Sequence, residues 1–176
     1  MIDPYKYLIA ELTPSDEPFL WEMLYQAIHV PVGGIAPPQQ IVHNSELSRY
    51  VQQWGQENDF GLKAVSADDL QPFGAAWLRL MTGENRGYGY IDELTPELSI
   101  AVLAEHRGKG VGTRLLSELF ESIAGKYKAI SLSVSDDNPA KRLYQRLGFE
   151  IVSQEGMSLT MKKNLERRLS DNRFEQ

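Results

Sequence analysis

The sequence predicts a single α/β domain: a mixed, largely antiparallel sheet of about six to seven strands, with a central parallel pair and helices on both faces. Three observations carry this. Short runs rich in aliphatic and β-branched residues recur along the chain, bounded by Gly, Pro and Asp turn signals. Two of these runs, around Leu98–Val102 and Ile130–Val134, are separated by a segment with apolar residues at four-residue steps, a crossover helix of the kind that joins parallel neighbours. Other runs are joined by short acidic or glycine turns, which pair strands antiparallel.

Tyr7–Leu12 reads as the first strand, ended by Thr13-Pro14. A helix follows, with Ser15 as its cap and Phe19, Leu20, Met23, Leu24 and Ile28 at helical spacing. Val30–Pro38, with Gly33-Gly34 and Pro37-Pro38, reads as an exposed loop. Leu47, Tyr50, Val51 and Trp54 mark a second helix, closed by Gly55. Phe60–Val65 and Gly74–Met81 are strands on either side of the turn at Asp68-Asp69, and Thr82–Leu94, acidic and glycine-rich, is expected to be an extended hairpin tip.

From Pro96 the pattern sharpens. The strand Glu97–Leu103 puts Leu98, Ile100 and Val102 on one face and Glu97, Ser99 and Ala101 on the other. The helix from about Gly110 to Ala124 carries Val111, Leu115, Leu119 and Ile123 in one stripe, widened by Leu116 and Phe120. The next strand repeats the scheme, with Ile130, Leu132 and Val134 opposite Ser131, Ser133 and Ser135. Ala140, Leu143, Tyr144 and Leu147 form another helical stripe, and Phe149–Val152 and Met157–Met161 are the last strands, joined by Glu155-Gly156. The domain is expected to span 1–162, with a C-terminal tail over 163–176.

Composition excludes several functions. With 42% hydrophobic and 24% charged residues the chain reads as an ordinary globular protein, and its apolar runs are far short of a membrane span. The start, Met1–Lys6, lacks a signal-peptide pattern, so a cytoplasmic location is expected. The absence of cysteine removes disulfides, thiolate metal sites and a cysteine nucleophile; His29, His43 and His106 show no ligand spacing, and no metal is expected. A formal charge of −6 argues against a nucleic-acid partner. Any anion site must therefore be local, and His106, Arg107, Lys109 and Arg114 supply a candidate basic patch.

That patch lies in a strand–turn–helix unit whose turn contains Gly108, Gly110 and Gly112, suited to holding phosphate at a helix N-terminus. A Walker A loop is excluded because Val111, not Lys, follows Gly110; a dinucleotide fingerprint is excluded because Thr113 stands where its third glycine belongs. What remains is Arg-x-x-Gly-x-Gly, at Arg107, Gly110 and Gly112. It resembles the acyl-CoA pyrophosphate loop of the GNAT superfamily of N-acetyltransferases. Members also carry a downstream helix of the form Asn-x-x-Ala-x-x-x-Tyr-x-x-x-Gly-Phe, for which this chain supplies Asn138, Ala140, Tyr144, Gly148 and Phe149. The specific similarity covers about 97 to 152.

The resemblance implies a GNAT-like acyl-CoA N-acyltransferase fold and direct transfer of an acetyl group from acetyl-CoA to an amine. The pyrophosphate is then expected on the backbone of Arg107, Gly108, Lys109, Gly110, Val111, Gly112 and Thr113. The pantetheine arm is expected to pair like an extra strand with the edge of Ile100–Leu103, through Ala101 and Val102 with Leu103 beside them. Such pairing requires the two parallel strands to splay apart. Asn138 is read both as a helix cap and as a cofactor contact. Tyr144 is the implied general acid, since a phenol can donate to a departing thiolate. An alkylammonium must lose a proton before it attacks; Glu97 is the candidate base, with Asp92 and Glu93 behind it, and the Val102 N–H the candidate oxyanion donor. Acceptor choice is expected to come from the Val30–Pro38 loop, Trp77, Arg79, Tyr88 and Tyr90, where Arg79 meets either an acidic substrate group or the sheet surface. The partners are acetyl-CoA and an amine-bearing acceptor, with a homodimer admitted. A non-catalytic acyl-CoA-binding regulatory module is the alternative, and a nucleotide-phosphate enzyme a third reading.

Overall fold

A computed structural model describes residues 6–165. The described elements are β1 (Tyr7–Glu11), α1 (Glu17–Ala27), α2 (Ser45–Ser48), β2 (Phe60–Ser66), β3 (Pro72–Arg79), β4 (Glu97–Val102), α3 (Val111–Ser122), β5 (Ala129–Ser135), α4 (Ala140–Arg146), β6 (Glu150–Glu155) and β7 (Ser158–Asn164). The strands form one seven-stranded sheet in the order β1-β2-β3-β4-β5-β7-β6. Every neighbouring pair is antiparallel except β4 and β5, which are parallel as the intervening crossover requires.

The alternation in β4 and β5 builds a core on each face of the sheet. Leu98, Ile130 and Leu132 pack with Leu115, Leu116 and Leu119 of α3, all but completely buried. On the opposite face Ala75, Trp77 and Ala101 meet Leu20, Met23 and Leu24 of α1, together with Tyr50, Val51 and Trp54. A buried aliphatic side chain of this kind contributes about 1.5–3 kcal/mol through removal from water. The two cores hold β4 between them and leave its end free to serve a site.

Four sequence expectations need correction. Ser15 is not the helix cap: the Thr13 N–H donates to the Asp16 carboxylate at 2.8 Å, and a 3-10 turn at Pro14–Asp16 leads into α1. The helix expected through Trp54 is regular only over Ser45–Ser48, capped by Asn44 Oδ1, which accepts the Leu47 N–H at 2.9 Å. Beyond it the chain runs in turns to Gln52, whose N–H donates to the Ser48 carbonyl at 2.8 Å, and the run ends where Gln53 turns left-handed at φ 57°; the Arg49 and Gln52 carbonyls accept from the Arg79 guanidinium at 3.0 and 2.7 Å. Thr82–Leu94 does connect the antiparallel pair β3 and β4, but it is not an extended tip; it contains no strand and folds back across the sheet, for a reason given below. The chain past 162 is not all tail: β7 runs to Asn164, and the Leu165 N–H still donates to the Lys128 carbonyl at 2.8 Å, while 166–176 lie outside the described residues.

Candidate active site

The parallel neighbours β4 and β5 share a single registered pair, Glu97 with Ser131, joined by the Ser131 N–H donating to the Pro96 carbonyl at 3.0 Å. Beyond that rung they form no further pair, which is the splay that strand-like pairing of a ligand arm requires. The gap opens into a cleft of about 790 Å³ that runs to the turn before α3. A smaller pocket of about 360 Å³ lies beside it, over Glu97, Ser99 and Ser133. Ile28, His29, Ile100, Asn138 and Tyr144 border both spaces. Of the residues singled out from sequence, Ala101, Val102, Arg107, Gly108, Gly110, Val111, Gly112, Thr113 and Asn138 line the larger cleft. Leu103 and Lys109 do not; the Leu103 N–H is held by the Phe73 carbonyl at 2.8 Å, and Lys109 Nζ donates to the Glu105 carbonyl at 2.9 Å.

The turn owes its shape to two of its three glycines. Gly108 and Gly110 sit at φ 72° and 81°, a region costly for other residues, and a Cβ on either would meet nothing within 4 Å. Gly110 is the residue that starts α3, leaving the N–H groups of the first helical turn without intrahelical acceptors and facing the cleft mouth. Gly112 has ordinary helical geometry, with a notional Cβ 3.7 Å from Ile100 Cδ1. The basic side chains do not form the expected patch. Arg107 Nε donates to the Val102 carbonyl at 2.7 Å and its guanidinium reaches Gln26 at 3.2 Å. Arg114 pairs with Glu118 at 2.9 Å and lies over the Tyr7 ring, and His106 stacks on Phe73 at 4.1 Å. The attraction this turn offers an anion is therefore mainly that of backbone N–H groups and the helix dipole.

Tyr144 is placed by the ends of its helix. Asn138 Oδ1 accepts the Ala140 N–H at 2.9 Å, the capping role read from sequence. Ala140, Tyr144, Gly148 and Phe149 keep the motif spacing, but Asn138 stands two residues before Ala140; the position three before it is Asp137, whose carboxylate lies 3.3 Å from His29 Nε2. At the other end Gly148 turns left-handed at φ 93°, the Phe149 N–H donates to the Tyr144 carbonyl at 3.0 Å and the Gly148 N–H to the Gln145 carbonyl at 3.1 Å. This is a Schellman closure, and its usual apolar contact is the Phe149 ring edge-on to Tyr144 at 5.9 Å. The Gly-Phe pair thus fixes the backbone and ring of the tyrosine. Burial pushes the Tyr144 phenol up to about 12, so it remains a protonated donor wherever a thiol would ionise.

Glu97 is 3% exposed. One oxygen, Oε1, accepts from the Tyr50 hydroxyl at 2.6 Å and from the Gly89 N–H at 2.8 Å. The other, Oε2, is buried and has no hydrogen-bond partner. Removal from water raises the carboxyl above the usual carboxylate range, and its hydrogen bonds from Tyr50 and Gly89 oppose that rise. Tyr50 is pushed up too, by burial and then by the adjacent Glu97, and its oxygen accepts the Tyr88 N–H at 2.7 Å.

This network explains the path of the Gly87–Tyr90 segment. A Cβ on Gly87 would run into Glu97 Oε2 and one on Gly89 into the Leu132–Ser133 backbone and Glu97 Oε1, so only glycine lets the chain cross there. Tyr50, Gly87 and Gly89 were not separable as site residues in the sequence. Tyr50 sits in a helical stripe that reads as core, although the repeated Gly-Tyr at 87–90 was a visible signal of close backbone approach. His29 was equally unmarked. Trp77 and Arg79 are removed from the acceptor side: Trp77 is fully buried with Nε1 donating to the Tyr50 carbonyl at 3.0 Å, and Arg79 is buried in a two-point pair with Asp59 at 3.0 and 2.7 Å. Tyr88 lines the smaller pocket, whereas Tyr90 packs into the core beside α1 under Arg86. Asp92 and Glu93 are committed elsewhere, to the Leu94 and Gly83 N–H groups at 2.9 and 2.8 Å.

A family model described as an acetyltransferase (GNAT) domain matches residues 65–151. No curated protein sequence matches the chain. Among solved structures, the chain is similar to the PaiA N-acetyltransferase of Thermoplasma acidophilum in complex with coenzyme A, at 20% identity and TM-score 0.64, covering 90% of this chain and 99% of that one. It is similar to the ribosomal-protein-S18-alanine N-acetyltransferase of Escherichia coli, at 14% identity, TM-score 0.63 and coverage of 94% and 98%. It is also similar to yncA of Salmonella typhimurium, a putative acetyltransferase solved with its cofactor acetyl-CoA, at 17% identity, TM-score 0.61 and coverage of 96% and 99%.

Proposed function

We propose, from the match of residues 65–151 to an acetyltransferase (GNAT) domain and from the shared fold, that this chain is a GNAT acetyltransferase and transfers the acetyl group of acetyl-CoA directly to an amine. The observation that carries this reading is the single-rung junction of β4 and β5, whose gap ends at the glycine turn and is flanked by Glu97 and Tyr144. The backbone N–H groups from Gly108 to Thr113 hold the pyrophosphate, and the free edge of β4 at Ile100 and the Val102 N–H orients the pantetheine arm, since Ala101 between them pairs with Ala75 of β3 and the Val102 carbonyl accepts from Arg107. Glu97 Oε2 receives the proton that the ammonium must lose. The amine nitrogen then forms its bond to the acetyl carbon as the carbon–sulfur bond breaks, and the Tyr144 hydroxyl donates to the departing sulfur. The balance is one amide, one thiol and one proton released to solvent.

Two measurements test the reading. Calorimetric titration is expected to show binding of CoA and none of ATP; the reverse would falsify it. Tyr144→Phe is expected to bind CoA as the parent does while transfer slows by about 10²-fold or more, the usual scale for a lost proton donor. An unchanged rate removes Tyr144 from the chemistry. No acetyl transfer to any amine, with CoA binding intact, favours the regulatory module.

A further inference from the structure

The smaller pocket has a chemistry of its own. It holds one carboxylate, that of Glu97, whose Oε2 is buried and unpartnered. Among its described lining residues there is no lysine or arginine, and its one histidine, His29, faces the Asp137 carboxylate at 3.3 Å. The apolar walls include Leu24, Leu47 and Leu132, and among the described lining residues the neutral polar groups are the hydroxyls of four serines, Ser99 and Ser133 among them, those of three tyrosines, and the Asn138 amide. One side is closed by the Gly87–Tyr90 segment, which Tyr88 ties to Glu46 beside Leu47 through a 2.6 Å hydrogen bond. At about 360 Å³ the space lies at the small end of ligand sites.

We infer that this pocket takes a compact aliphatic amine carrying no anionic group, such as an amino alcohol or a diamine; the inference rests on the acetyltransferase reading. The orphaned oxygen supplies the acceptor that an ammonium needs, and the leucine walls suit a methylene chain. A carboxylate or phosphate on the same substrate finds no lysine or arginine among the described lining residues, Arg49 acting on Glu97 and Tyr88 only from outside the lining, and it stands near the Glu97 carboxylate, where like charges repel. The reaction at this site joins the amine nitrogen to the acetyl carbon, passes the ammonium proton to Glu97 and on to solvent, and releases the thiol.

Matched acceptors test this. 4-Aminobutan-1-ol and 1,4-diaminobutane are compared with 4-aminobutanoate, with the phosphate ester of the amino alcohol and with a short peptide bearing a free N-terminus. Thiol release is followed with a thiol-reactive dye, to which the chain itself contributes no cysteine. The uncharged-tail and dicationic amines are expected to show kcat/KM at least about tenfold above each anionic counterpart, a difference set by charge repulsion and unpaired burial. Leu47→Arg, which brings a cation to the pocket wall, is expected to narrow that ratio with CoA binding unchanged. Equal or better use of 4-aminobutanoate, or turnover of the peptide alone, overturns the inference. Binding of CoA with no acceleration by any of these amines overturns it while leaving the cofactor reading intact; failure to bind CoA removes both.

Discussion

At the scale of the residue, Glu97 holds a carboxylate where folding alone favours a neutral group. Its carboxyl is raised by burial, so the folded state binds this proton more tightly than the unfolded chain does. The stabilisation of the neutral form is complete below the ordinary glutamate value of about 4.3 and is lost as pH rises through the raised value. Above that value the ionised side chain is a cost to the fold, and it is the form that the proposed reaction requires of a base. Two outcomes follow for Glu97→Gln, which retains an oxygen for Tyr50 and Gly89. Transfer is expected to fall by about 10²–10⁴-fold, and the thermal midpoint at pH 7 to stay level or rise, with a smaller loss of stability than in the parent as pH rises above the ordinary glutamate value of about 4.3. A lower midpoint at pH 7 together with an unchanged pH slope refutes the assignment. The carboxylate itself was legible in the sequence as the first residue of β4 on the small, polar face. Its partners were not, because Tyr50 and Gly89 reach it by tertiary approach rather than by any local spacing.

At the scale of the element, the pieces whose local patterns were strong were legible and those shaped by a distant side chain were not. The stripe of Val111, Leu115 and Leu119 and the alternation in β4 and β5 each match the structure closely. The region after α2 does not: it runs on as turns to Gln52 and ends where Gln53 turns left-handed, with the Arg49 and Gln52 carbonyls held by the Arg79 guanidinium. That arginine, 6% exposed, fastens this segment to β3, with Asp59 as its charge partner. Removing one member leaves the other charge buried and several carbonyls unsatisfied. Arg79→Ala is expected to cost about 3–5 kcal/mol, read as a lower denaturation midpoint in urea at unchanged slope. A loss below about 1 kcal/mol, the range of an exposed pair, shows that water replaces the guanidinium there.

At the scale of the whole molecule, the sheet is two antiparallel ladders, β1 to β4 and β5-β7-β6, joined by one rung and by α3. The alternating strands and crossover helix made the parallel junction legible from sequence, but its shortness was not, because nothing in β4 or β5 alone states where pairing ends. A ligand seated along the gap touches both ladders. Saturating CoA at about 100 times its dissociation constant is expected to add about 2.7 kcal/mol, seen as a rise of a few degrees in thermal midpoint, with slowed amide exchange at Ala101–Leu103 and at Gly110–Thr113. Protection confined to α3 alone would place the ligand outside the gap.

The same rung orders the assembly of the sheet. Each antiparallel ladder gains many hydrogen bonds for the loops it closes, whereas the β4–β5 junction must close the long crossover for a single pair. The leucines of α3 share one core with Leu98 of β4 and with Ile130 and Leu132 of β5, so side-chain burial, rather than strand pairing, holds the ladders together there. The gap is thus a seam held by packing on the faces of the sheet and not by a ladder of backbone hydrogen bonds.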